Sequence, residues 1–172
     1  MGIEIERKFL VATDAWRDLV STTHHISDHL IARFDLGKAR IRICDGSATL
    51  TIKGNRTGVS RSEYHFDLAP DDAAAMIAEF STAPALEKRR HDVCLAGLVW
   101  QVDEYMGPLE GLVTCDVELP HEVHDLARPA WAVRDITHDS RYGSAQLARA
   151  MHADGVIPAD CTGGGKRPPP AD

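Results

Sequence analysis

Near the start of the chain, Glu4, Glu6 and Lys8 alternate with Ile3, Ile5 and Phe9. Strand side chains point to opposite faces in turn. As a strand, this segment therefore sets two carboxylates and an ammonium on one face and apolar side chains on the other. A row of that kind is costly to bury without partners. It suits a site where a divalent cation meets an anion.

The same two-faced pattern recurs downstream. Arg40 and Arg42 alternate with Ile41 and Ile43, and Thr49, Thr51 and Lys53 with Leu50 and Ile52. Arg61, Glu63, His65 and Asp67 alternate with Tyr64, Phe66 and Leu68. Lys88 and Arg90 share a face, as do Asp116 and Glu118, the latter pair against Val117 and Leu119. An antiparallel sheet with one wet face also alternates. Here, however, the polar face is charged rather than rich in Ser and Thr, and it carries both signs. Its acids are Glu4, Glu6, Glu63, Asp103, Asp116 and Glu118; its bases are Lys8, Arg40, Arg42, Lys53, Arg61, Lys88 and Arg90. Carboxylate oxygens suit hard cations such as Mg²⁺ or Mn²⁺. Converging Arg and Lys suit phosphate oxygens. Together they describe a metal–polyphosphate site, and phosphoryl transfer needs mainly positioning and charge neutralisation.

Strands must position these residues. The pattern predicts strands over 2–11, 28–35, 38–45, 48–54, 60–68, 86–95, 98–106 and 112–119, with turns at Asp45-Gly46, Gly54-Asn55, Ala96-Gly97 and Met106-Gly107-Pro108. Helices are predicted from Asp14 to about Val20 with Thr13 as cap, from Pro70 with Met76, Ile77 and Phe80 as its apolar face, and from Ser144 to about Met151. An open sheet with its charged face in solvent fits. So does a closed sheet whose charges line a lumen while apolar faces pack outward against the helices. Closure removes exposed edges, and about eight strands leave an interior for side chains or one small ligand. The expected class is α+β, mainly antiparallel β: a closed eight-stranded barrel with a few helices outside.

A chain of 172 residues with 44% hydrophobic and 26% charged residues suits one domain with a real core. We expect that domain over residues 1–158 and a disordered tail over 159–172, where Gly-Gly-Gly-Lys-Arg-Pro-Pro-Pro lies. A net charge of −7 argues against a broad nucleic-acid surface. Cys44, Cys94, Cys115 and Cys161 show no paired spacing and read as reduced thiols, with Cys44 and Cys115 buried and inert. There is no basic-then-apolar leader and no apolar run near 18 residues, so a cytoplasmic protein with no membrane partner is expected. Trp16, Trp100 and Trp131 read as packing residues. His24-His25 and the His121/His124 pair are set aside as zinc candidates; the second pair lies three apart and is not a His-Glu-x-x-His motif.

Glu4-Ile5-Glu6-Arg7-Lys8 followed by Phe9-Leu10-Val11 resembles the ExExK signature of the CYTH superfamily, the triphosphate tunnel metalloenzymes. Arg40-Ile41-Arg42, Leu50-Thr51-Ile52-Lys53-Gly54, Arg61-Ser62-Glu63-Tyr64, Leu86-Glu87-Lys88-Arg89-Arg90, Asp103, Asp116-Val117-Glu118-Leu119 and Asp139-Ser140-Arg141-Tyr142 resemble its later segments in order, over about residues 3–150. The resemblance implies an eight-stranded tunnel, Mg²⁺ or Mn²⁺, and a small triphosphate substrate, in a monomer or homodimer. It makes Glu4, Glu6 and Glu118 metal ligands, with Asp116 and Asp103 near the metal or holding the bases in place. Lys8, Arg40, Arg42, Lys53, Lys88 and Arg90 would bind phosphate oxygens. Glu63 and Lys8 would be the catalytic pair, Glu63 orienting or deprotonating the attacking water; Glu63 also reads as a structural partner of a lumen arginine. The short N-terminal pattern looks most like bacterial inorganic triphosphatases. An adenylate cyclase, a thiamine triphosphatase and a triphosphate- or polyphosphate-binding module without turnover stay open. Two positions depart from the family: His65 stands where a second Glu is common, and Gly143-Ser144 where a basic residue is common.

Overall fold

Alternating sequence becomes nine strands: β1 (Ile3–Val11), β2 (Val20–Phe34), β3 (Gly37–Cys44), β4 (Ser47–Gly54), β5 (Ser60–Leu68), β6 (Leu86–Leu95), β7 (Leu98–Tyr105), β8 (Val113–Glu118) and β9 (Ala132–Asp135). Two α-helices accompany them, α1 (Pro70–Phe80) and α2 (Ser144–Ala150). This computed structural model describes residues 2–151. The expected boundary at 158, the tail and Cys161 lie outside the described residues.

The strands follow the order β5-β4-β3-β2-β6-β7-β8-β1, and β1 also pairs with β5, so the sheet closes. Every pairing is antiparallel. The short β1–β5 seam covers Ile3 to Ile5 of β1; further along, Phe9 to Val11 pair with β9. This is the expected eight-stranded barrel, with one added strand.

Tight hairpins set the register. Asp45 and Gly46 both take positive φ (47° and 89°), as do Ala96 and Gly97 (52° and 77°). Two central residues of positive φ twist a two-residue loop to match its flanking strands. Apolar side chains outside β1, β6, β7 and β8 form the largest core, with Phe9, Val93, Trp100, Val102, Cys115 and Val117 all fully buried. Trp16 and Trp131 cover them from the connecting segments. Trp100 lies 5.8 Å from the Phe9 ring and 5.5 Å from that of Trp131. The cover here is therefore loop rather than helix, contrary to the expectation that helices do this job. α1 covers only the patch around Ile41 and Ala48, through Ala73, Met76 and Ile77. A third cluster joins Leu10, Leu86 and Tyr105 of the barrel to Tyr142, Leu147 and Ala148 around α2.

Three local expectations fail. The segment predicted as a helix from Asp14 to Val20 is one 3₁₀ turn, Arg17–Leu19, and β2 starts at Val20. The run Val20-Ser-Thr-Thr-His-His-Ile is rich in β-branched residues and pairs with β6 from Val20 to Asp28. β9 was not predicted, because four residues leave little periodicity to read. Cys44 is only half-buried, since it ends β3 beside the turn; Cys115 is buried as expected.

Replacing Trp100 with Ala should cost about 3–5 kcal/mol, the range for emptying a large aromatic site. Urea unfolding checks this; a loss below about 1 kcal/mol would place Trp100 outside the core.

Candidate active site

Closure turns the charged face inward, around a cavity of about 580 Å³, within the usual range for small-molecule sites. Glu4, Glu6, Lys8, Arg40, Arg42 and Lys53 line it. So do Glu63, Lys88, Arg90, Asp116 and Glu118. Ten Lys and Arg side chains against six Asp and Glu make the lining net positive in a chain of net charge −7. Of the residues selected from sequence, only Asp103 lies behind this lining; it is fully buried.

The strand register decides which charges meet. Directly opposite pairs are Glu4 with Arg61, Lys8 with Asp116, Asp28 with Arg42, Lys53 with Glu63 and Arg90 with Asp103. Opposite charges facing across strands stabilise, and like charges there destabilise. Two rungs break the rule. Glu6 faces Glu118, and Lys38 sits between Arg33 and Lys53.

Side-chain contacts follow the rungs. The Lys8 Nζ lies 2.5 Å from Asp116 Oδ1, and this carboxylate holds Lys8 protonated against the cost of burial. Asp103 accepts from Lys88 Nζ at 2.5 Å and from Arg90 Nε and Nη2, both at 2.7 Å. Although burial opposes it, these cations hold the Asp103 carboxyl far below the ordinary range. Arg90 also reaches Asp116 at 3.3 Å. Lys88 moves the other way: burial, then the neighbouring Arg90, bring its pKa down to about 7. Asp28 accepts from Arg40 at 2.9 Å and from Arg42 at 2.8 and 3.0 Å. It too stays ionised well below the usual carboxylate range, because Arg40 and Arg42 outweigh its burial.

The acidic corner is built from β1, β5 and β8. Glu4 accepts from Lys53 at 3.0 Å and from the Arg61 guanidinium. Glu6 accepts from Arg56 at 2.6 Å, with Arg61 at 3.6 Å. Glu63 lies 2.9 Å from Lys53 and 3.2 Å from the His65 imidazole. Burial pushes its pKa up, but contacts with Glu4 and Lys53 win and lower it. Glu118 makes no ion pair among the described residues. Desolvation and the nearby Glu4, Glu6 and Glu63 raise its pKa.

That imbalance fits a hard cation. Four carboxylates share this corner, and on the Glu6–Glu118 rung Glu118, exposed at the end of β8, has no ion-pair partner among the described residues. The oxygens of Glu4, Glu6 and Glu118 are not drawn together to within 4.8 Å, because Glu4 and Glu6 turn to Lys53, Arg61 and Arg56. Those cations supply the positive charge that a bound metal would replace. Among the described residues the one such trio gathered within 4.8 Å is His24, Cys44 and Asp45, where the His24 Nδ1 already meets Asp45 at 2.6 Å.

Sequence reasoning missed Asp28, Arg56 and Lys38, and gave Arg61 no role in the site. Asp28 opens the strand predicted over 28–35, but apolar Leu30 and Ala32 follow it at alternate positions, so no row of charges marks it. Arg61, on the charged face but outside the phosphate-binding set, forms salt bridges inside the lumen. Arg56 reaches Glu6 from the loop between β4 and β5, where no periodicity could signal it. Lys38 was legible: it continues the Arg40–Arg42 alternation back by two positions.

Known proteins resemble this chain along most of its length. Residues 2–150 match the sequence model of the CYTH domain. The chain is 35% identical over 150 residues to an inorganic triphosphatase of Acetivibrio thermocellus, covering 87% of this chain and 95% of that protein. It is 30% identical over 153 residues to an inorganic triphosphatase of Nitrosomonas europaea, covering 86% and 98%. A crystal structure of an inorganic triphosphatase superposes with a TM-score of 0.61 at 26% identity, covering 84% of this chain and 93% of that one.

Asp28→Asn should cost about 3–5 kcal/mol, because removing one member of a buried ion cluster leaves the others uncompensated. The depressed carboxyl contributes its stability above the unfolded pKa of about 3.9 and loses it as pH falls through the lower folded value. Urea unfolding at several pH values should show a wild-type decline below about pH 4 that is shallower in the variant. Equal acid slopes would contradict the assignment.

Proposed function

The chain belongs to the CYTH domain family, and from this we propose that it is a hydrolase splitting inorganic triphosphate in the barrel lumen with the help of a divalent cation. The supporting observation is the net-positive, two-sign lining of a closed barrel. Two relatives named inorganic triphosphatase, at 35% and 30% identity, favour linear triphosphate over nucleoside or thiamine triphosphates.

Glu4, Glu6 and Glu118 would hold Mg²⁺ or Mn²⁺, which on binding supplies charge neutralisation at the phosphate oxygens. Asp103 and Asp116 take the base-holding role in this proposal, with oxygens on Lys88, Arg90 and Lys8. They hold these bases in place, the other role open to them from the sequence. Lys8, Arg40, Arg42, Lys53, Lys88 and Arg90 bind the phosphates, fixed before substrate arrives and so without reorganisation during the reaction. Glu63 is ionised at neutral pH and accepts a hydrogen bond from the attacking water. As the water oxygen bonds to a terminal phosphorus, its proton passes to Glu63. The phosphorus–bridging oxygen bond breaks, and pyrophosphate leaves with the electron pair while Lys8 faces the growing charge. The protein works in the cytoplasm in this proposal; among the described residues no helix is long and apolar enough to cross a membrane.

Phosphate release from triphosphate by the purified full-length protein, with Mg²⁺, Mn²⁺ or EDTA, tests the proposal. Release should need the metal, and Glu6→Gln should lower the rate by about 10²–10³. Metal-independent release, or an unchanged variant, would contradict it.

A further inference from the structure

Among the described residues, Lys38 is one of two lumen cations that the ion-pair network leaves out, with Arg33 the other. Its Nζ donates to the neutral Ser144 Oγ of α2 at 2.9 Å, and no carboxylate pairs with it among the described residues. In the register it stands directly between Arg33 of β2 and Lys53 of β4. Lys53 is answered by Glu4 and Glu63. Arg33 has no ion pair among the described residues and borders the same cavity from a solvent-exposed position. Three cations in one row are destabilising on their own. The row lies where the 136–146 segment also borders the cavity.

We propose that Lys38 is a further substrate-binding residue, which extends the phosphate path along the Arg33–Lys38–Lys53 row to the side of the lumen bordered by Ser144. This deepens the proposed triphosphate hydrolysis and rests on it. The polyanion supplies the counter-charge the fold withholds, and Lys38 can turn from Ser144 to a phosphate oxygen without breaking an ion pair. Around Lys38 stand Arg33 and Asp28 from β2, Arg40 from its own strand, Lys53 from β4, Arg61 from β5 and the uncharged Ser144. Burial and the cations Arg40, Arg61 and Lys53 bring its pKa down to about 7, with Asp28 opposing. An arriving phosphate raises it again, so substrate binding above neutral pH carries a proton onto Lys38, and binding weakens as pH rises.

Calorimetric titration of sodium triphosphate into the full-length protein tests this, at slightly alkaline pH in two buffers of different ionisation enthalpy. The wild type should bind with a proton count higher than that of Lys38→Met, and the variant should bind about ten-fold more weakly, as for one lost hydrogen bond to a charged group. Lys38→Arg, charged at every pH, should keep the affinity with the lower proton count. In hydrolysis, Lys38→Met should raise KM with kcat nearly unchanged. Thermal melts should show the Met variant at least as stable as wild type, because it removes a half-buried cation that has no carboxylate partner among the described residues. Equal affinity and equal proton count in wild type and Lys38→Met would overturn the role of Lys38 alone. Absence of wild-type binding would overturn the hydrolase proposal and this one with it.

Discussion

A charge turned into a closed barrel has little water to answer it, so each one must be answered by another side chain or by a ligand. That constraint organises the whole molecule. Register places Lys8 opposite Asp116, Asp28 opposite Arg42 and Arg90 opposite Asp103, and the side chains close those distances with direct ion pairs. Burying such groups unpartnered would cost several kcal/mol each. The lumen is stable because most of its rungs balance. It is chemically useful because two do not: the Glu6–Glu118 rung has an excess of negative charge, and the Arg33–Lys38–Lys53 row an excess of positive charge.

The apolar parts of the fold serve that arrangement. The tryptophan-lined core outside β1, β6, β7 and β8 fixes the strands that carry Lys8, Lys88, Arg90, Asp103 and Asp116. Leu10, Leu86 and Tyr105 continue those strands into the cluster with Tyr142 and Leu147, which ties the segment around α2 to the barrel. Side chains held by such packing and by buried carboxylates keep their positions when a polyanion enters. Preorganised charge of this kind is worth more in a site shielded from water than the same charge in solvent.

Much of this was legible in the alternation of charged and apolar residues. β1 and the strands from β3 to β8 lie within one or two residues of the segments read from sequence, because each has a charged inner face and an apolar outer one. Where the signal failed, the cause is physical. β2 enters the barrel through a mixed Ser-Thr-His run whose strand character comes from pairing with β6, and Asp28, just beyond it, is a lone charge followed at alternate positions by Leu30 and Ala32. β9 gains its place by taking the length of β1 that β5 leaves free. Arg56 acts from a loop, and loops carry no period. The roles of Asp103 and Asp116 could not be separated from those of Glu4 and Glu6 by residue type, because all four carboxylates meet lumen cations: the first two meet Lys88, Arg90 and Lys8, and the second two Lys53, Arg61 and Arg56.

The most direct test is a crystal structure of the protein with Mn²⁺ and triphosphate, read at the manganese absorption edge. The account predicts an anomalous peak bounded by Glu4, Glu6 and Glu118, with phosphate oxygens on Lys8, Arg40 and Arg90 and with Asp103 still bound to Lys88. A lumen whose ion pairs stay unchanged, with manganese and triphosphate bound only on the outer surface, would contradict it.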